Sequence, residues 1–217
     1  MKKVLLLVKK DLFLDKTYLL VTILLSFGIP LFIAKSLKDV MDINGIDVIA
    51  LMLSSFYCYF MMFSKIGLIE DKYKSVEYLL LTPISRKMIV MAKYFLFVII
   101  FIFSIVGYII DSFIFIDIKT TDLATISIVF LIGCIFMGIY IPLELKVGYE
   151  KVKFYLMIIV IATPLCVGGI GKSVTEDMVK RVNEIIGTLI PYFSIISILI
   201  LLASYYVANR IYEKKDI

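Results

Sequence analysis

Six long runs without a charged residue divide this chain, and each contains between 17 and 25 residues. A helix needs about 20 residues to cross the apolar core of a bilayer, and about 17–25 are tolerated. Strands of a membrane barrel would be about 9–11 residues long and would alternate in polarity. The pattern therefore predicts an all-α polytopic membrane protein with six transmembrane helices in a single domain. Their expected ranges are 17–34, 48–64, 94–110, 123–143, 154–171 and 185–209.

The N-terminal segment 1–16 predicts a further helix. Lys2, Lys9 and Lys16 are seven residues apart, which places them on one face of a helix. That face indicates a helix along the inner membrane surface, either as a set of lysines that only fixes topology or as a surface for a partner. Asp11 falls on the opposite, apolar side and needs a partner there. The candidate contact residues are Lys9, Lys10 and Asp11.

A charged interval separates the second and third runs. Apolar residues recur at i, i+4, i+7 and i+11 from Ile69 to Leu80, which predicts a short amphipathic helix over 70–82. Pro83 should end this helix, because the residue before a proline avoids helical geometry. Ser85 is then the predicted N-cap of the third span.

Arg86 and Lys87 follow at the first helical positions of the third span. A cation there opposes the helix dipole and costs about 0.3–1 kcal/mol when exposed. Some interaction must offset that cost. Two alternatives are open: contact with lipid phosphate together with a topological role, or contact with a cytosolic subunit.

The end of the fifth run and the residues after it are rich in glycine. Ser173 and Glu176 form a capping box, which predicts a short external helix over 174–186. The preceding stretch ends like a phosphate-binding loop, but Cys166 stands where that loop requires glycine. The external helix is either a capped loop or an outer gate. The candidate gate residues are Pro164, Gly168, Gly169, Ser173 and Glu176.

The composition agrees with a membrane protein. The chain is 62% hydrophobic and its mean hydropathy is +1.03, whereas soluble domains contain about 45–50% apolar residues. Its 217 residues leave no room for a separate soluble catalytic domain beside six spans. Any chemistry that needs a large domain is therefore expected from a partner.

The distribution of lysine and arginine predicts the orientation. Of these 23 residues, 17 lie before the first run, between runs two and three, between runs four and five, and after the last run. By the positive-inside rule, both termini and the 70–93 interval are cytoplasmic. The net charge of +5 is explained by this topology, so we expect no nucleic-acid partner.

Several kinds of catalysis are excluded. The chain has no histidine, so it cannot form a Ser-His-Asp triad or a histidine-based zinc site. Cys58, Cys134 and Cys166 are far apart in the predicted spans and are expected to pack as small apolar residues. Asp111 and Asp117 lie at or beyond the outer end of the third span and are predicted to be solvated. We expect no enzymatic activity from this chain.

Two segments of the chain resemble a known family. They are Lys10–Leu20, KDLFLDKTYLL, and Glu70–Phe95, EDKYKSVEYLLLTPISRKMIVMAKYF. An acidic and basic cluster, a short helix ending in Leu-Leu, a proline, Ser-Arg-Lys and a lysine entering the third span are similar to the pattern of small six-span permeases of the ABC-2 type. Those permeases resemble bacterial exporters of peptides such as bacteriocins, lantibiotics and phenol-soluble modulins.

The resemblance implies that 70–82 is a coupling helix, which docks in a cleft of a separate cytosolic ABC ATPase. The N-terminal helix would flank it. ATP and Mg²⁺ would be bound by that ATPase, so this chain would bind no cofactor itself. The predicted ATPase-coupling residues are Glu70, Asp71, Lys72, Tyr73, Lys74, Glu77, Tyr78, Pro83, Ser85, Arg86 and Lys87.

The predicted function is that of a permease subunit of an ATP-driven exporter in a bacterial cell membrane. We expect a homodimer, or a heterodimer with a related permease, because two subunits are needed to enclose a pathway. Spans with almost no charge are unlike those of ion-coupled carriers and suit an amphipathic peptide or lipid-like substrate. An alternative of another class is an immunity or scaffold protein that does not transport.

Overall fold

The computed structural model describes residues 2–13, 16–37, 46–73, 84–114, 121–155, 157–158, 161 and 176–214. Of these residues 96% are helical, and they include no strand. The helices are α1 (Lys2–Phe13), α2 (Lys16–Leu37), α3 (Ile46–Tyr73), α4 (Arg86–Ile114), α5 (Leu123–Val147) and α6 (Glu176–Glu213). Residues 149–155 are helical as well.

Five helices in the described ranges are long and apolar enough to cross a membrane. They coincide with five of the six predicted spans, and their bounds are Lys16–Ile33, Val48–Tyr73, Arg86–Ile114, Leu123–Val147 and Tyr192–Glu213. The remaining predicted span, 154–171, lies largely outside the described residues. The sixth span therefore stays a prediction.

Helix α4 occupies the centre of the bundle. It contacts all five of the other helices, whereas α2 packs mainly against α3 and α5 mainly against α6. In its span 56% of the residues are buried, which is close to the 61% of α3 and well above the 11% of α6. Aromatic side chains fill the space around α4; the largest fully buried ones are Tyr59, Phe63, Phe97, Tyr108 and Tyr140. A displacement of α4 would therefore reach most of the bundle.

Two predicted helix boundaries differ from the structure. Residues 70–73 form the last turn of α3 and do not start a separate helix, because nothing between Ser64 and Glu70 breaks the helix. Residues 74–83 lie outside the described residues, so the rest of the predicted 70–82 helix is untested. The predicted external helix 174–186 and the last span are one continuous helix from Glu176, which means that no turn separates them.

A glycine turn directs the chain after α5. Gly148 has φ of +92°, a conformation that favours glycine, and its N–H donates to the Glu144 carbonyl at 2.9 Å. The turn brings Tyr149 against Gly67 of α3, where a Cβ atom would overlap the tyrosine ring. The backbone N–H of Glu150 also donates to Asp71 Oδ2 at 3.3 Å. The connection after α5 is thus attached to the last turns of α3.

Candidate functional site

One end of the bundle brings together α1, the last turns of α3, α5 and α6, and the first turns of α4. We call it the lysine-rich end, because Lys10, Lys72, Lys87, Lys93 and Lys146 belong to these segments. The sequence predicts that this end is cytoplasmic. The opposite part, with Ser26 on α2, Gly107 and Asp111 on α4 and Ser127 on α5, is called the far half.

Lys93 of α4 lies at the centre of the lysine-rich end. Its Nζ is 2.8 Å from Glu70 Oε2 on α3 and 2.9 Å from Glu144 Oε1 on α5. Lys93 is 3% exposed and Glu144 is 5% exposed. We call these residues the Lys93 triad. Its two ion pairs join three helices. Removal of Lys93 would leave a buried carboxylate without a counterion, which strongly destabilises a protein.

Asp11 of α1 belongs to the same electrostatic neighbourhood. It is buried next to Val4 and Val8, as the helical pattern predicts, and Lys10 Nζ lies 2.8 Å from its Oδ1. Burial raises the pKa of Asp11; Lys10 opposes this rise, while the negative charge of Glu70 adds to it. Asp11 of α1 therefore interacts electrostatically with Glu70 and Lys93 of the triad.

Arg86 and Lys87 have partners inside the molecule. The Arg86 guanidinium donates to the carbonyls of Tyr212 and Glu213 at 3.1 and 2.9 Å, and Lys87 Nζ is 3.2 Å from Glu213 Oε1. These groups end α6, where free carbonyls and the helix dipole favour a cation. The cost of placing two cations at the start of α4 is therefore offset by the end of α6. Neither lipid nor a subunit is needed for that.

A hydroxyl chain makes a third connection. Tyr94 Oη and Ser204 Oγ are hydrogen-bonded, and Ser204 Oγ donates to the carbonyl of Gly138. The chain joins α4 to α6 and α6 to α5, one residue after Lys93 in α4. Together with the Arg86 contacts, this chain attaches the first three turns of α4 to α6, and through α6 to α5.

A cavity of about 1080 Å³ opens beside the last turns of α3. Its other wall is the Gly148 turn. The residues that line it include both charges and apolar side chains, and Tyr73 at its edge is 58% exposed. Residues 70–73 of the predicted coupling helix 70–82 are the last turn of α3, so the cavity borders the start of that prediction. Charged lining residues are Lys65, Asp71, Lys72, Glu150 and Lys151.

The structure places the predicted residues in three groups. The first group lies at the lysine-rich end: Lys9, Lys10, Asp11, Glu70, Asp71, Lys72, Tyr73, Ser85, Arg86 and Lys87. The second group lies outside the described residues: Lys74, Glu77, Tyr78, Pro83, Pro164, Gly168, Gly169 and Ser173. The third group is Glu176 alone, which is the first residue of α6. The docking helix and the outer gate therefore stay predictions.

Asp111 is not solvated, contrary to the prediction from its position. It is 2% exposed on α4, and its Oδ2 has no hydrogen-bond partner in the part of the chain that the structure describes. The prediction was wrong because the helix continues to Ile114 and places Asp111 within the bundle. Asp117 lies outside the described residues.

Lys93 and Glu144 were absent from the predicted site. Both stand at the border of an apolar run, because the predicted spans are defined as charge-free and so stop at the first charged residue. The helices continue past them, so the two side chains are buried in α4 and α5. A single charge that interrupts otherwise apolar helical sequence is the signal that would have found them.

The comparison with known families shows the family of this chain. A model of the ABC-2 family transporter proteins matches residues 6–213, which is nearly the whole chain. The chain belongs to the ABC-2 transporter family. Neither the curated proteins nor the solved structures give a match. ABC-2 proteins are the membrane components of transporters, and they normally work with an ABC ATPase.

Membership in the ABC-2 family also gives the lysine-rich end a context. ABC-2 permeases are generally not catalytic themselves. Within the described residues, the lysine-rich end holds the ion pairs that join different helices. It is therefore the candidate functional site.

Proposed function

We propose that this protein is the permease subunit of an ATP-driven exporter that moves an amphipathic peptide or lipid-like substrate out of a bacterial cell. The observation that carries the proposal is the ABC-2 family match over 6–213. The Lys93 triad, at one end of an otherwise apolar helix bundle, adds to it. The ATPase supplies ATP hydrolysis, and this chain supplies the pathway.

The segment between α3 and α4 is the proposed docking element. Its flanks support this assignment, because the last turn of α3 borders the 1080 Å³ cavity and the first turn of α4 is fastened to α6 by Arg86. A protein that presses on this segment would act on both helices at once. Glu77 and Tyr78 are the residues that we expect to enter the ATPase cleft.

The chemistry of the spans supports the proposed substrate class. Large apolar side chains are exposed along α2 and α6, and they are suited to lipid or to a second permease copy. Two copies, or one copy with a related permease, would enclose a pathway with aromatic and aliphatic walls. Such walls favour an amphipathic substrate over an inorganic ion.

The docking assignment is tested by co-purification. The tagged permease is expressed with the ABC ATPase encoded beside its gene, once as wild type and once with Glu77→Ala and Tyr78→Ala. We expect the double variant to insert in the membrane normally but to lose the ATPase. As a matched control, Asp122→Ala at the start of α5 should retain it, because this residue lies in the far half.

Two outcomes would contradict the proposal at different levels. If the double variant retains the ATPase, the segment between α3 and α4 is not the docking element. If the wild-type permease retains no ATPase and none is encoded nearby, the assignment as an ATP-driven exporter fails, and a non-transporting membrane protein becomes the better account.

A further inference from the structure

The Lys93 triad places two carboxylates, that of buried Glu144 and that of partly buried Glu70, against one ammonium group. Lys93 contacts Glu70 on α3 and Glu144 on α5 at nearly equal distances, 2.8 and 2.9 Å. With both glutamates ionised, one negative charge remains without a counterion in the triad. An ion pair that only fastened two helices would be matched in charge, because an uncompensated buried charge is costly.

The hydrogen bonds of the triad are unbalanced in the same way. Glu144 Oε2 is buried and has no hydrogen-bond partner among the described residues. The ammonium group of Lys93 has three donors on a flexible stem of four carbons, and the two ion pairs leave a third donor. Lys93 can therefore lengthen one contact while it keeps the other, so neither movement leaves the lysine unpaired.

The position of the triad relates it to the proposed docking element. Glu70 is in the last turn of α3, and Lys93 is two turns after the start of α4, so both flank the α3–α4 connection. Helix α5 is not connected to that segment along the chain. Its Glu144 is held by Lys93, which gives α5 a direct ionic link to the helices that leave the docking element.

We propose that Lys93 is a positioning residue for transport, through which a displacement of the α3–α4 connection is passed to α5. This inference rests on the proposed function. During the cycle the ends of α3 and α5 change their spacing, and Lys93 stays paired with one glutamate while its contact with the other lengthens. The surplus carboxylate is what permits this exchange.

The test uses Glu144→Gln in the full-length permease, assembled with its ATPase in inside-out membrane vesicles. The substitution is isosteric and leaves a one-to-one pair of Lys93 with Glu70, so folding, melting temperature, ATPase co-purification and basal ATP hydrolysis should be unchanged. ATP-dependent uptake of a synthetic amphipathic helical peptide should fall at least about tenfold, which corresponds to about 1.4 kcal/mol.

Two further variants separate a positioning role from a structural one. Lys93→Arg keeps the charge and can contact both carboxylates, so it should retain most of the uptake. Asp122→Asn removes an exposed carboxylate at the other end of α5, in the far half, and should transport like the wild type. A purely structural triad predicts that uptake and melting temperature change together.

Each other outcome counts against the inference. Normal uptake by Glu144→Gln would make the triad a static connection. Loss of folded Glu144→Gln protein would contradict it as well, because the remaining one-to-one pair should be stable. Failure of the proposed function is distinguishable, since the wild-type vesicles would then show neither a bound ATPase nor ATP-dependent uptake.

Discussion

The two ends of the bundle are held together by different forces. At the lysine-rich end, described contacts between helices include the Lys93 triad, the Arg86 contacts with the end of α6, and the Tyr94 hydroxyl chain. In the far half, Gly107 packs directly on Ser26, and the hydroxyls of Ser26 and Ser127 bond to carbonyls of their own helices. Ser54 Oγ of α3 donates to the Ser26 carbonyl of α2, but at 3.4 Å this hydrogen bond is long.

The difference indicates how force could pass through the molecule. Ion pairs and hydrogen bonds between helices have preferred geometries, so helices joined in this way move together. Small residues in contact allow close approach, and the long hydrogen bond from Ser54 to the Ser26 carbonyl constrains the helices less than the ion pairs do. We therefore expect the helices of the lysine-rich end to stay joined to α4, with Lys93 paired to at least one glutamate, while the far half can separate.

Removal of Lys93 should give the largest effect. Lys93→Met leaves buried Glu144 and partly buried Glu70 with no counterion from α4, which should lower the free energy of unfolding by about 3–5 kcal/mol. The comparison variant in the far half is Asp111→Asn. It removes a buried charge whose Oδ2 has no partner among the described residues, so it should not destabilise the protein. Melting in detergent, followed by size-exclusion chromatography, measures both. Equal stability of the two variants would remove the contrast between the ends.

Close packing in the far half is tested by Gly107→Ala. A Cβ atom there would lie 2.8 Å from Ser26 Oγ and 3.0 Å from the Ser26 carbonyl, so α2 and α4 would have to separate. We expect a loss of about 1–3 kcal/mol, as for other overpacked sites. Gly28→Ala on α2 is the matched control, since no atom lies within 4 Å of its Cβ position. The same melting assay applies, and a stable Gly107→Ala variant would show that the far half is loosely packed.

The connection between α4 and α6 should have a smaller effect. Arg86→Gln removes the charged donor from the Tyr212 and Glu213 carbonyls, with an expected loss of about 1 kcal/mol and faster amide exchange in the last turn of α6. Lys87→Gln removes an exposed ion pair and should change almost nothing. Hydrogen exchange followed by mass spectrometry distinguishes them. Equal exchange in both would mean that Arg86 does not cap α6.

The smallest expected effect concerns pH. Burial raises the pKa of Asp11 above its usual value, so the ionised form carries a penalty in the folded state at neutral pH. That penalty is lost as the pH falls through the raised pKa. Asp11→Asn should therefore be slightly more stable than the wild type at pH 7, and the difference should shrink on acidification. Melting curves of both proteins from pH 7 downward measure this stability difference. A difference that grows on acidification would contradict the prediction.

Much of the bundle could be predicted because it depends on local sequence. The lengths of the apolar runs are sufficient for the spans in α2, α3, α4 and α5, since a helix that crosses a bilayer satisfies its own backbone. The apolar side of α1 and the burial of Asp11 follow from helical spacing alone. These elements need no knowledge of distant contacts.

The site could be predicted only in part, because its contacts are distant in sequence. Glu70 and Glu144 are 74 residues apart and meet only through Lys93. Arg86 was expected to need an external partner, whereas the end of α6, more than 120 residues later, supplies one. The boundary between α3 and the coupling segment was also misplaced, since charge alone does not end a helix.

The central claim is that energy from ATP hydrolysis by a partner is transmitted to this permease at its lysine-rich end. The most direct measurement is uptake of a labelled amphipathic peptide by inside-out vesicles that contain the permease and its ATPase. The account predicts uptake that requires ATP and is abolished by the double substitution Glu77→Ala and Tyr78→Ala. Uptake by the double variant at the wild-type rate would contradict it.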